Sequence, residues 1–366
     1  MTIKYLKKYL EYDLRYIIPS QIKRIRIRDC LMKILIKEIY KKRIDILIYQ
    51  FPNYNGINLL NTLKRIKIIF YLHYCFFYWI YYDFFYFKSL YRAYQNSKYV
   101  ISIVPIENNY LFKKWGINSV LMNNFITYDY NYVIPSDLSS KTILMIGRGQ
   151  DRLKRYELGI QSIEYINKEI PECELKIISN LTQNFYIKDL VVNYGLEKTI
   201  KFIGYTSTPE IYFKNASLHI FPTVSESFGL VLSEAKLYGI PNILLGLEYI
   251  SISNGGIINI YDDTPESISK EAIKILNENK YKVKLGKESR YNMQKFSNEL
   301  LFKKWIKLLL YIYIGEDYYR IIGKEEDNLY NKDLLIIIEN QLNLLKKRKN
   351  IYFNINEFEN FTYISQ

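Results

Sequence analysis

Short, almost wholly apolar runs alternate along this chain with longer amphipathic stretches, and that alternation limits the fold more than any other feature. In the first part the runs are Ile44–Tyr49, Lys67–Leu72 and Tyr99–Val104. A second series follows at Thr142–Ile146, Leu175–Ile178, Ile200–Ile203, Leu218–Phe221 and Asn242–Leu245. Runs this short and apolar suit strands buried on both faces, as in a parallel sheet covered by helices. The intervening stretches, such as 57–66, 84–96 and Tyr156–Lys168, supply the helices; in the last of these Leu158, Ile160, Ile163 and Ile166 share one face. Between the two series, Pro135–Ser140 (PSDLSS) is polar, rich in turn formers and without period, which marks a linker.

The expectation is an α/β chain of two Rossmann-like, doubly wound domains, with a ligand beyond the carboxyl ends of the strands. The first domain covers 1–137, with a basic segment over 1–43 and the Rossmann-like part from 44. The second covers 138–310, and a helical extension occupies 311–366. At 366 residues and 49% hydrophobic content the chain has material for about two cores. Two helices are expected over 300–349, the second (Asp333–Arg348) ending in a basic cluster that suits a helix C-terminus.

The net charge of +14 is unevenly spread. Residues 1–45 hold 13 Lys and Arg against five acids. Thirty-eight Tyr and only four Ala point to A/T-rich codon usage, which raises Lys as well, so the overall balance says little about a polyanionic partner. Three Cys without metal-ligand spacing and two His, at 73 and 219, make a disulfide framework or a zinc site a poor reading. The opening MTIKYLKKYLEYDLRY has no apolar core with a small-residue cleavage site, so a cytoplasmic location is expected.

Phe221–Pro241 (FPTVSESFGLVLSEAKLYGIP) is the most informative segment. A buried strand ends at Pro222, a polar loop carries Glu226, and a helix begins near Gly229 with Glu234 on it. A lone pair of glutamates at this spacing is most often a capping acid and a solvated helix residue. Here Phe228, Gly229, Ala235, Gly239 and Pro241 agree as well, and the whole resembles the retaining GT-B glycosyltransferases of group 1 (family four), which carry two glutamates with seven residues between them. Gly229 lets backbone approach a ligand, and helix N-terminal N–H groups suit a diphosphate or sugar oxygen. The resemblance places Glu226 at the transferred sugar and Glu234 on the ribose hydroxyls. Gly147-Arg148 at the end of a strand, followed by Lys154, matches the family's diphosphate grip, in which Arg offers a fork and Lys a point charge.

The resemblance further implies a first domain on the acceptor side, facing the second across a cleft. His73, ending KIIFYLH, matches a family histidine that meets the donor sugar, and Tyr205 falls where relatives contact the base. No Asp-x-Asp pair is present, so transfer without a metal or other cofactor is expected. The family's opening strand and Gly-rich loop have no counterpart in the forty-odd residues before Ile44; either the first domain is abbreviated or the chain is an incomplete copy.

The activity implied is transfer of a hexosyl group, with retention, from a nucleotide-sugar to a glycan or lipid-linked acceptor in glycan biosynthesis. A nucleotide-sugar epimerase or phosphorylase on the same fold and a catalytically silent scaffold are the alternatives. Nucleic acid is not an expected partner, since no recognised motif accompanies the basic arm. An anionic membrane surface is one: Tyr and Trp crowd the twenty-residue run 68–87, and Lys or Arg near such a surface contributes about 1 kcal/mol each. Six Tyr, His73 and Asp83 argue against the run crossing a bilayer.

Overall fold

The computed structural model describes residues 36–50, 61, 63–73, 75, 84–149, 152–181, 185–315, 336–337, 340–341 and 343–348. By contacts they fall into two compact units. One comprises the described residues up to Thr127 together with those from Phe296 to Gly315; the other comprises Tyr128–Lys295 and the described positions from 336 onward. The expected linker at 135–140 therefore lies inside the second unit, where Ser136 and Ser140 hydrogen-bond to the carbonyls of Ala216 and Asn215.

In the first unit, β1 (Ile46–Tyr49), β2 (Lys67–Tyr71), β3 (Tyr99–Ser102) and β4 (Val120–Leu121) make a parallel sheet in that order. Helix α1 (Phe84–Gln95) precedes β3 and α2 (Pro105–Trp115) follows it. Pro105 suits the first turn of α2, where its missing N–H leaves no bond unmade, and Gly116 closes the helix in the left-handed region at φ 64°. β3 is buried along its whole length, which is why its run reads as continuously apolar.

The second unit runs β5 (Thr142–Ile146), α3 (Tyr156–Glu169), β6 (Glu174–Ile178), α4 (Phe185–Asn193), β7 (Ile200–Phe202), α5 (Glu210–Lys214), β8 (Leu218–Phe221), α6 (Leu230–Leu237), β9 (Asn242–Leu244), β10 (Ile257–Asn259), α7 (Pro265–Asn277) and α8 (Asn279–Tyr291). Its parallel sheet is ordered β10-β9-β8-β5-β6-β7. The chain moves outward from β5 through β6 and β7, then returns to the other side of β5 as β8. The loops after β5 and β8 thus leave neighbouring strands in opposite directions, the switch point at which open α/β sheets bind ligands. Leu158, Ile160, Ile163 and Ile166 are all buried, and α3 packs against α7.

Helix α9 (Asn298–Ile314) belongs to the first unit, where Asn298 bonds to both the N–H and the carbonyl of Ile126 and Trp305 lies buried beside Tyr71. The described positions between 336 and 348 are helical, as expected for the second tail helix.

Every expected strand is present, with ends shifted by no more than two residues. β4 and β10 were not expected; β4 has two residues, and β10 is only half-buried along its length. Of the expected helix at 57–66, only 61 and 63–66 are described: Asn61 is helical, but 63–66 form a turn into β2, closed by Ile66 N–H to Leu63 O, so the helix ends earlier than expected; the basic segment up to residue 35 lies outside the described residues. The run 68–87 divides into β2, residues outside the description, and the start of α1. Among the described residues no helix is long and apolar enough to cross a membrane.

Candidate active site

The loops after β5 and β8 meet at the switch point. Gly147 N–H bonds to Ile178 O at 3.2 Å and Gly147 O accepts the Ser179 hydroxyl at 2.6 Å, so the first loop leaves the sheet tied to the end of β6. Arg148 follows with an exposed side chain. The chain then makes a 3-10 turn over Arg152–Lys154, and Leu153 O accepts the N–H of Val224 from the second loop at 3.0 Å. That bond sets the loops side by side. Lys154 Nζ reaches Glu226 Oε2 at 2.8 Å and stands 5.2 Å from the centre of the Phe221 ring.

Glu226 is held at its backbone as well. The Tyr249 hydroxyl accepts its N–H at 2.9 Å and donates to its carbonyl at 2.8 Å, while Glu226 Oε1 accepts Ser227 N–H at 3.1 Å. Phe228 is fully buried beneath the loop. Gly229 then turns the chain into α6 at φ 82°, a conformation that opposes any residue with a Cβ, and no side chain caps the helix there. The stretch after β9 that carries Tyr249 is pinned by buried Lys236 of α6, whose ammonium donates to Ile252 O and Asn254 O at 2.6 and 2.5 Å.

The proposed residues divide into groups. Lys154, Glu226, Gly147, Phe228 and Gly229 come together, and Arg148 lies on the same loop as Gly147. Glu234, half-buried on α6, has other neighbours: burial, with Glu234 and Glu210 close by, holds the Tyr128 hydroxyl well above the ordinary phenol range. Tyr205 stands 87% exposed after β7, without a packing role. His73 is in the first unit, its ring 4.1 Å from that of Tyr71. Burial lowers its pKa to about 4 against an opposing hydrogen bond with Asn124, so the imidazole is neutral at pH 7. Gly255 and Gly256 lie against α8 and the residue just after it.

Sequence reasoning missed Tyr249, Asn124 and a set of charges beside the loops. Arg155, next to Lys154, holds Asp263 at 3.2 Å, and Arg348 from the tail helix holds Asp263 through two bonds of 2.7 and 2.8 Å. Adjacency to Lys154 was the available signal for Arg155. The Lys346-Lys347-Arg348 cluster gave none, because it reads as a solvated helix end, whereas Arg348 is 1% exposed.

Chemically the site offers a lysine and an arginine on one loop, a carboxylate on the other, and a helix N-terminus behind it. Such a set can stabilise a leaving diphosphate beside a reacting sugar. Residues 132–292 match the family described as Glycosyl transferases group 1. An uncharacterized glycosyltransferase of Haemophilus influenzae is 20% identical over 228 residues, 60% of this chain and 63% of that protein. The poly(glycerol-phosphate) alpha-glucosyltransferase of Bacillus subtilis is 24% identical over 186 residues, 48% of this chain and 27% of that one. The aligned stretches thus span less than two thirds of these relatives' own lengths. Among solved structures, an S. aureus TarM variant in complex with fondaparinux, alpha-GlcNAc-glycerol and UDP has a TM-score of 0.62 at 18% identity, covering 76% of this chain and 58% of that one. The fold is the GT-B fold of glycosyltransferases.

Proposed function

We propose that this chain, whose residues 132–292 match the glycosyl transferases group 1 family, moves a hexosyl group from a nucleotide-sugar to a glycan or lipid-linked acceptor. The observation that carries the reading is the 2.8 Å Lys154–Glu226 pair, set at the switch point of a parallel sheet with Gly147-Arg148 on the adjoining turn. Lys154 and Arg148 take the donor diphosphate. As the bond between the anomeric carbon and the diphosphate oxygen breaks, its electron pair goes to that oxygen, whose charge the two cations stabilise; the acceptor hydroxyl oxygen bonds to the anomeric carbon, and its proton passes to the departing diphosphate. Glu226 faces the transferred sugar and Glu234 the ribose, as the resemblance implies, and Tyr205 lies on the base side. His73 keeps the role that the resemblance gives it; its neutral ring suits hydrogen bonding to a sugar hydroxyl. UDP is the favoured carrier, supported by the UDP complex of the TarM variant.

Retention and independence of a metal are parts of the same proposal, as are a cytoplasmic location and peripheral contact with an anionic membrane. The test is a panel of UDP-, GDP- and ADP-sugars, scored by thermal stabilisation, hydrolysis and acceptor-dependent transfer. At least one donor should stabilise the parent, and Arg148→Ala and Glu226→Ala should lose stabilisation or turnover. If no donor stabilises the protein, or both variants match the parent, the site assignment is wrong. Donor conversion without transfer would favour an epimerase or phosphorylase, and binding without turnover a scaffold.

A further inference from the structure

We propose that Arg348 is a positioning residue for the donor site, holding the Lys154 and Glu226 loops in register; the inference rests on the donor-site reading above. Arg348 lies outside the segment that matches the family. Its guanidinium is nearly wholly buried and makes a fork to Asp263, with Nε at 2.8 Å from Oδ2 and Nη2 at 2.7 Å from Oδ1. Nη2 also donates to Leu245 O at 2.7 Å, and Nη1 approaches Val224 O at 3.4 Å. Asp263 Oδ2 in turn takes Arg155 Nη1 at 3.2 Å, and Arg155 Nε lies 3.2 Å from Glu157 Oε1.

These contacts form a closed ring. Arg155 adjoins Lys154, Lys154 meets Glu226, Glu226 lies two positions after Val224, and Val224 returns through Arg348 and Asp263 to Arg155. The loops are therefore joined three times: by Val224 N–H to Leu153 O, by the Lys154–Glu226 pair, and by the arginine–aspartate bridge. A donor diphosphate competes with Glu226 for the Lys154 ammonium, and when it does, the bridge keeps both loops in place. Arg is the residue for this task because its planar fork fixes direction as well as charge. Nor is Arg348 needed merely to fasten its helix. Gln341 does that, bonding to Gly246 O and, at 3.0 Å, to Glu248 Oε2, while Arg348 addresses the loop after β8, the end of β9 and the turn before α7.

The test uses the full chain, with UDP, GDP and ADP as probes in calorimetric titration. Arg348→Lys keeps the charge and loses the fork. We expect it to weaken binding of the preferred nucleoside diphosphate roughly tenfold, the scale of one lost charge-assisted hydrogen bond. In a Lys154→Ala background the same change should cost much less, because both act through one pair of loops. Amide exchange at Val224 should also quicken in Arg348→Lys. If Arg348→Lys does not fold, Asp263→Asn carries the same test with the same expected loss. Affinity equal to the parent's, or an equal loss in the Lys154→Ala background, overturns the role of Arg348 and leaves the donor site standing. Failure of the parent to bind any of the three nucleotides overturns both.

Discussion

Lys154 and Glu226 are partners at 2.8 Å, so a phosphate that takes the lysine displaces a carboxylate, and the two substitutions should have opposite signatures. Lys154→Ala should reduce donor kcat/KM about 100-fold, close to 3 kcal/mol of lost transition-state stabilisation. Glu226→Gln should lower turnover while nucleoside diphosphate affinity is kept or raised, because the ammonium loses its competitor; titration alongside steady-state rates separates the two. Buried titratable groups also set a pH dependence. Burial lowers both His73 and His219 to about 4, so each favours the folded state fully above pH 6.5 and loses that contribution as pH falls to 4. Burial raises Glu107 to about 7 against hydrogen bonds from Tyr94 and Ile103, so its contribution is full below pH 4.5 and is lost as pH rises through 7. Each shift corresponds to something on the order of 3 kcal/mol, and the windows overlap with opposite sign. Glu107→Gln, whose amide oxygen takes the Ile103 N–H and whose NH2 donates to Tyr94, leaves the histidines unopposed. Its Tm should therefore fall more steeply than the parent's between pH 6.5 and 4.

At the scale of elements, the approach of α8 to the turn before β10 depends on Gly256. Its φ is +67°, and a Cβ there would lie 2.3 Å from Leu285 O and 2.5 Å from Ser289 Cβ. Gly256→Ala should destabilise the second unit by roughly 3 kcal/mol, read as a lower midpoint in denaturant, since both strained backbone and a backbone collision must be relieved. The strands were legible because burial on both faces leaves them mostly apolar: Thr142–Ile146 and Leu218–Phe221, each with a single polar residue, appear at the expected residues. So were Lys154 and Glu226, each in a contiguous loop with its own chemistry. Tyr249 and Arg348 were not, because what makes them part of the site is closure of the tertiary structure rather than local pattern. Arg348 has the same sequence surroundings as a solvated helix end; the carboxylate of Asp263 and the carbonyls of Leu245 and Val224, all distant in sequence, hold it inward. The left-handed backbone of Arg155, at φ 48°, had no signal of its own; there the Asp263 and Glu157 contacts hold a conformation that an arginine disfavours.

For the whole molecule, the uneven charge leads to a prediction that needs no ligand. If the basic segment and the tyrosine-rich first part meet a membrane, the protein should float with vesicles containing phosphatidylserine, and the floated fraction should fall as salt rises from about 50 to 500 mM. Equal flotation with neutral vesicles, or none with either, would remove the membrane from the proposal. The division into units has a further consequence, for the order of assembly. Trp305 covers Tyr71 of the first sheet, yet the ribosome makes it only after the whole of Tyr128–Lys295. The second unit's sheet is therefore available to fold while the first still lacks its last helix. The first unit is begun earliest and its aromatic core waits for α9, while the second unit's own last segment, from 336 onward, follows later still.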